Sequence, residues 1–112
     1  MYQNKEYKEA IIYFDSIITL DSTKGIVFFR RGVCYAKIYK YQKAIDDHLK
    51  CIELNYRVES SSFNVGLSYE ILLNYPMALF YYKKAYGLNI NNKKAKERID
   101  FIENLYNCIN ND

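Results

Sequence analysis

Apolar residues return along this chain at three- and four-residue spacing, interrupted by short polar stretches. Tyr41, Ala44, Ile45, His48, Cys51 and Ile52 form one such stripe, and Phe28, Gly32, Tyr35 and Ile38 form another. Ala95, Ile99, Ile102, Leu105 and Tyr106 form a third, with Lys96, Glu97, Asp100 and Glu103 on its other side. This periodicity predicts amphipathic helices. The expected spans are 3–20, 24–38, 41–54, 59–72, 75–88 and 93–108. Pro76 falls just inside a helix start, where its missing N–H costs little. Asp21 to Thr23 and Asn89 to Asn92 read as linkers rich in N-cap residues.

A strict repeat underlies the stripes. The segments opening at Tyr7, Tyr41 and Tyr75 are spaced by 34 residues, with no insertion or deletion. Each continues with alanine (Ala10, Ala44, Ala78), an aliphatic residue (Ile11, Ile45, Leu79) and a flat ring (Phe14, His48, Tyr82). Each closes on leucine (Leu20, Leu54, Leu88) and then Asp21, Asn55 or Asn89. Upstream, Gly32 matches Gly66, Tyr35 matches Tyr69, and Ile38 matches Leu72. The unit is therefore helix, short turn, helix. The glycine of its first helix and the alanine of its second allow close approach.

This pattern closely resembles the tetratricopeptide repeat, which has the same period. The resemblance implies an all-α fold, an α-solenoid of antiparallel helix pairs, over a single domain, 1–112. Residues 25–58 and 59–92 are expected to be full repeats, and 93–112 a covering helix that closes the array with a polar outer face. In both full units the alanine follows the glycine by twelve residues, which puts the glycine matching Ala10 before Met1. Residues 1–24 are thus expected to be the second helix of a truncated repeat, and Cys108 to Asp112 to fray. The sequence departs from the family at Ser62, where an aromatic is common. It also departs at Tyr56 and Ile90 in place of proline, and at Tyr39 and Leu73 in place of a turn glycine.

Composition narrows the function. Half the residues are hydrophobic and 26% charged, a globular balance. Four glycines and one proline are too few for an all-β sandwich. The net charge of +3 comes without a run of like charges, so no nucleic-acid partner is expected, and RNA binding is the weaker alternative. The longest apolar run, Met77 to Tyr82, is far short of a membrane span. Cys34, Cys51 and Cys108 have neither disulfide nor zinc spacing, and none of the eleven Asn lies in an Asn-x-Ser/Thr sequon. A reducing, cytoplasmic setting fits both facts. No cofactor, metal or catalytic constellation is expected, because His48 stands alone and no phosphate-binding or nucleophile motif is present.

Two positions change together between the full units. Arg31 and Asp47 in one correspond to Val65 and Tyr81 in the next. The expectation is a partly buried structural ion pair between Arg31 and Asp47. His48, matching Phe14 and Tyr82, is expected to be a core ring.

The resemblance places a ligand groove on the first helices and implies its lining. Phe29, Arg30, Val33 and Lys37 come from one unit, Phe63, Asn64, Leu67 and Glu70 from the next, and Lys94, Arg98 and Phe101 from the covering helix. Its walls are apolar, with a basic edge at Arg30, Lys94 and Arg98. Asn64, Lys94 and Arg98 match half of the carboxylate clamp of cochaperone members, but Phe29 and Val33 occupy the other two places. The expected function is a non-catalytic scaffold or adaptor module for a protein or peptide partner carrying acidic groups, docked as a helix or an extended segment. Self-association through the N-terminal edge or the groove is also expected. The alternative is a regulatory arm of a larger enzyme or sensor.

Overall fold

A computed structural model describes residues 4–110. Among them are six helices: α1 (Asn4–Leu20), α2 (Gly25–Lys37), α3 (Tyr41–Glu53), α4 (Val58–Ile71), α5 (Tyr75–Leu88) and α6 (Lys93–Asn110). Each packs on its neighbours in sequence, and the pairs are antiparallel. The result is elongated, 54 × 27 × 22 Å, as stacked repeats with only nearest-neighbour contacts must be.

The small residues set the pair spacing. A Cβ added at Gly32 would lie 2.8 Å from Nε2 of His48, and one at Gly66 would lie 2.7 Å from the Tyr82 ring. Ala44 and Ala78 are fully buried on the facing helices. Tyr82 anchors a core with Ala78, Ile99 and Ile102, against which Phe63, Tyr69 and Leu79 pack.

The helix ends differ from expectation by a residue or two, for reasons seen in the backbone. Tyr39, Asn55 and Leu73 take positive φ (66°, 56° and 63°), and each stops its helix. The N–H groups of Lys40, Tyr56 and Asn74 then donate back to the carbonyls of Tyr35, Cys51 and Tyr69 at 2.8–2.9 Å. Asp21 does not cap α2. Its carboxylate accepts from the Thr23 backbone N–H at 2.9 Å and shapes the turn instead. Asn74 and Asn92 do cap, accepting from Met77 N at 3.3 Å and Ala95 N at 3.0 Å. The expected start at residue 3 lies outside the described residues, as do 111 and 112. α6 is helical through Asn110, and the rest of the segment expected to fray, Asn111 and Asp112, lies outside the described residues.

Candidate functional site

Arg31 of α2 joins three helices. Its Nε and Nη2 donate to the two carboxylate oxygens of Asp47 on α3, at 2.9 and 2.7 Å. Its Nη1 donates to Asp15 on α1 at 2.8 Å. Asp47 is buried. Burial raises its carboxyl, while the bonds from Arg31 hold it down. The hydrogen bond to Asp47 in turn raises the guanidinium, so Arg31 stays charged. Phe28 and Tyr35 flank the guanidinium at 5.6 and 5.7 Å. This unit ties α1, α2 and α3 together. Asp15 was absent from the sequence reading because Leu49 and Lys83, its matches in the repeat, carry no acidic pattern.

Of the residues expected to line one groove, Phe29, Arg30, Val33 and Lys37 line one cleft and Leu67, Glu70 and Arg98 a second. The first, of about 520 Å³, lies between α1 and α2. Ala10 and Phe14 form one wall, and Phe29, Val33 and Cys34 the other. Arg30, Lys37 and Arg57 stand on its rim, with Glu6 and Tyr7 at the α1 side. Among the described residues, Arg30, Lys37 and Arg57 make no ion pair. Phe29 is fixed edge-on to His48 at 5.0 Å, with Arg57 over its ring at 4.8 Å. Arg57 also escaped the sequence reading. It sits between repeats on left-handed backbone (φ 45°), where helix periodicity gives no direction to a side chain.

The second cleft, of about 340 Å³, is lined by Leu67, Glu70, Ile71, Tyr75 and Arg98. Here the expected basic edge is corrected. Arg98 is engaged by Glu70, Nε to Oε1 at 3.1 Å and Nη2 to Oε2, and the Tyr82 hydroxyl donates to the same carboxylate at 2.8 Å. Against the cost of burial, these bonds hold Glu70 below the usual carboxylate range. Arg98 also lies 4.7 Å from the Phe101 ring. Phe63 turns toward the core, its ring 5.4 Å from Tyr82. Asn64 is half-buried and Lys94 exposed, and neither lines either cleft.

His48 is a buried ring. Burial pulls it down to about 4, and its Nδ1 has no partner among the described residues. Burial pushes the Cys51 thiol up to about 11. Among the described residues no group of three or more His, Cys, Asp and Glu could hold a metal. None of the described helices is long and apolar enough to cross a membrane.

No family model matches the chain. It is similar to heat shock protein STI1 of Saccharomyces cerevisiae, 30% identical over 97 residues, covering 86% of this chain and 16% of the relative. It is also similar to human tetratricopeptide repeat protein 28, 28% identical over 74 residues, covering 66% of this chain and 3% of the relative. The chain thus spans a small part of the curated relatives it matches. Among solved structures, the first tetratricopeptide domain of Spaghetti (RPAP3), bound to an HSP90 peptide, superposes with a TM-score of 0.82 at 20% identity, covering 91% of this chain and 81% of that one. The unbroken 34-residue register, the glycine-on-ring packing of each full pair and these likenesses together make the chain a tetratricopeptide-repeat protein.

Proposed function

We propose that this chain is a non-catalytic binding module that holds an acidic protein or peptide segment along its first helices. The observation that carries this is the α1–α2 cleft, where the apolar surface of Phe14, Phe29 and Val33 is bordered by Arg30, Lys37 and Arg57 against the single carboxylate of Glu6, and none of the three cations makes an ion pair among the described residues. A ligand that buries apolar groups there and neutralises the rim gains on both counts. Lys94 extends the basic character toward α6, while Phe101, Leu67 and Asn64 offer further apolar and amide contacts. Arg98 is already satisfied by Glu70, so selectivity for acid lies at the N-terminal end. The solved relative bound to an HSP90 peptide supports the general mode. A carboxylate clamp of that sort would need polar groups where Phe29 and Val33 stand. A cytoplasmic, reducing setting is part of the same proposal, supported by the three free cysteines.

The test is selection from a displayed peptide library against the chain. Recovered segments should combine Asp or Glu with bulky apolar residues, and their binding should weaken with salt and with Arg30→Ala or Lys37→Ala. Binding that ignores salt and both substitutions would overturn the reading.

A further inference from the structure

Because the chain repeats, each joint between helices can be compared with its counterpart 34 residues away. In the first half, Arg31 of α2 bonds Asp15 of α1 and Asp47 of α3, and the Cys51 thiol of α3 donates to the Gly25 carbonyl of α2 at 3.4 Å. In the second half, α4 is fastened toward α6 near both its ends. Glu59 accepts from Asn89 and Asn92, in the connection that leads into α6, at 3.3 and 2.9 Å. Glu70 accepts from Arg98 of α6 and from the Tyr82 hydroxyl of α5. Lys83 of α5 pairs with Glu103 of α6 at 3.8 Å.

The joint between α3 and α4 lacks every counterpart of these bonds. Leu49 and Val65 stand where Asp15 and Arg31 do one period earlier. Gly25 and Val58 match Glu59 and Asn92, and Ala36 and Asn64 match Glu70 and Arg98. Among the described residues, no ion pair crosses from α1–α3 to α4–α6, and Cys51 meets the Ser61 hydroxyl there only through its thiol. The rest of the joint is apolar packing, such as that of the fully buried Val65, which has no preferred direction and lets packed helices slide. Its connection is also distinct. Asn55 and Arg57 both take left-handed backbone, φ 56° and 45°, whereas Tyr39 and Leu73 stand alone in their turns. A non-glycine residue held in that region is strained, and hinges are a few such connecting residues that absorb the change in φ and ψ.

We infer that the chain moves as two three-helix bodies, α1–α3 and α4–α6, which bend about the α3–α4 joint with Asn55 to Arg57 as the hinge. The first cleft is lined by α1 and α2, with Arg57 of the hinge on its rim, and the second by α4, α5 and α6. Bending therefore changes the distance between the clefts and leaves the lining of the second intact. The motion belongs to the chain alone and needs no ligand, so it stands or falls apart from the binding-module reading. A segment that reached both clefts would select one angle.

The test is pulsed electron-spin measurement of distances between nitroxide labels in a Cys108→Ser chain, in which the remaining Cys34 and Cys51 are buried. Labels on Lys37→Cys and Ile71→Cys report across the joint, and labels on Ile71→Cys and Asn104→Cys report within the second body. All three sites are exposed. The Lys37–Ile71 distances should be spread more widely than the Ile71–Asn104 distances. Copying the α4–α6 bond into the joint, by Ala36→Glu with Asn64→Arg, should narrow the first spread toward the second. Glu70→Ala, which adds no buried group, should widen the Ile71–Asn104 spread. Helical content and melting curves show which variants are folded, and Glu70→Ala decides if the double variant is not. Equal spreads for the two pairs in the parent would overturn the proposal. So would a Lys37–Ile71 spread that the added pair leaves unchanged in a folded variant, or an Ile71–Asn104 spread indifferent to Glu70→Ala.

Discussion

His48 holds the place of a phenyl ring with an imidazole. It is 2% exposed, packs edge-on to Phe29, and leaves Nδ1 without a partner among the described residues. Burial penalises its cation and lowers it from 6.5 to about 4. Between those values the unfolded chain binds the proton and the folded chain does not. His48 therefore contributes full stability above pH 6.5, and the contribution is lost as pH falls toward 4. The span corresponds to a loss on the order of 3 kcal/mol. Carboxylates titrate in the same range, so the informative quantity is a difference. Urea unfolding at pH 7 and pH 4.5 should show a markedly smaller loss for His48→Phe than for the parent. Equal losses would mean that His48 is solvated. Ser62 shows a related departure, a fully buried hydroxyl without a partner among the described residues, where the family often carries a ring. Arg31 and Asp47 are the well-satisfied counterpart. Breaking such a pair on one side costs about 3–5 kcal/mol when it is buried, and Asp15 offsets part of that for Arg31.

At the scale of the helix, what was legible came from period. The 34-residue spacing located the first five helices and the glycine contacts, because pair packing repeats the same steric demand at fixed intervals, and the apolar stripe from Ala95 to Tyr106 located the sixth. Coordinated replacement of Arg31 and Asp47 by Val65 and Tyr81 also carried a usable signal. Glu70 and Arg98 did not, because both fell on the expected ligand face, and their contact joins α4 to α6 across 28 residues. Helix ends were blurred for another reason. The left-handed residues that stop α2 and α4 are Tyr39 and Leu73, which carry no glycine signature. A side chain in that region costs about 1 kcal/mol or more. Leu73 is 70% exposed, so its removal sacrifices little packing. Leu73→Gly should therefore stabilise the chain by about 1 kcal/mol, raising Tm by roughly 4–8 °C for a domain of this size. A lowered Tm would show that the leucine side chain matters more than the backbone it strains.

Over the whole molecule, stability is distributed unevenly. Buried residues run through α2, α3, α4 and α5, and Tyr82, Ile99 and Ile102 join α5 to α6, whereas Ile11 is the only buried residue of α1. In a stack held by nearest neighbours, an end helix with so little burial opens on its own before the rest unfolds. Arg31 Nη1 on Asp15 is a directional tie that holds α1 down, and Asp15 is half exposed. Such a contact is worth about 0.2–1 kcal/mol. Amide exchange should accordingly be fastest in α1 and slowest in α4 and α5. Asp15→Asn should speed exchange in α1 by up to about fivefold, the factor that 1 kcal/mol represents, and leave α5 unchanged. The asymmetry matters for binding, because α1 is one wall of the α1–α2 cleft. A partner that buries Phe14 and Phe29 together would slow α1 exchange toward that of α3. A uniform change across all helices after Asp15→Asn would instead show that α1 opens only with the whole array.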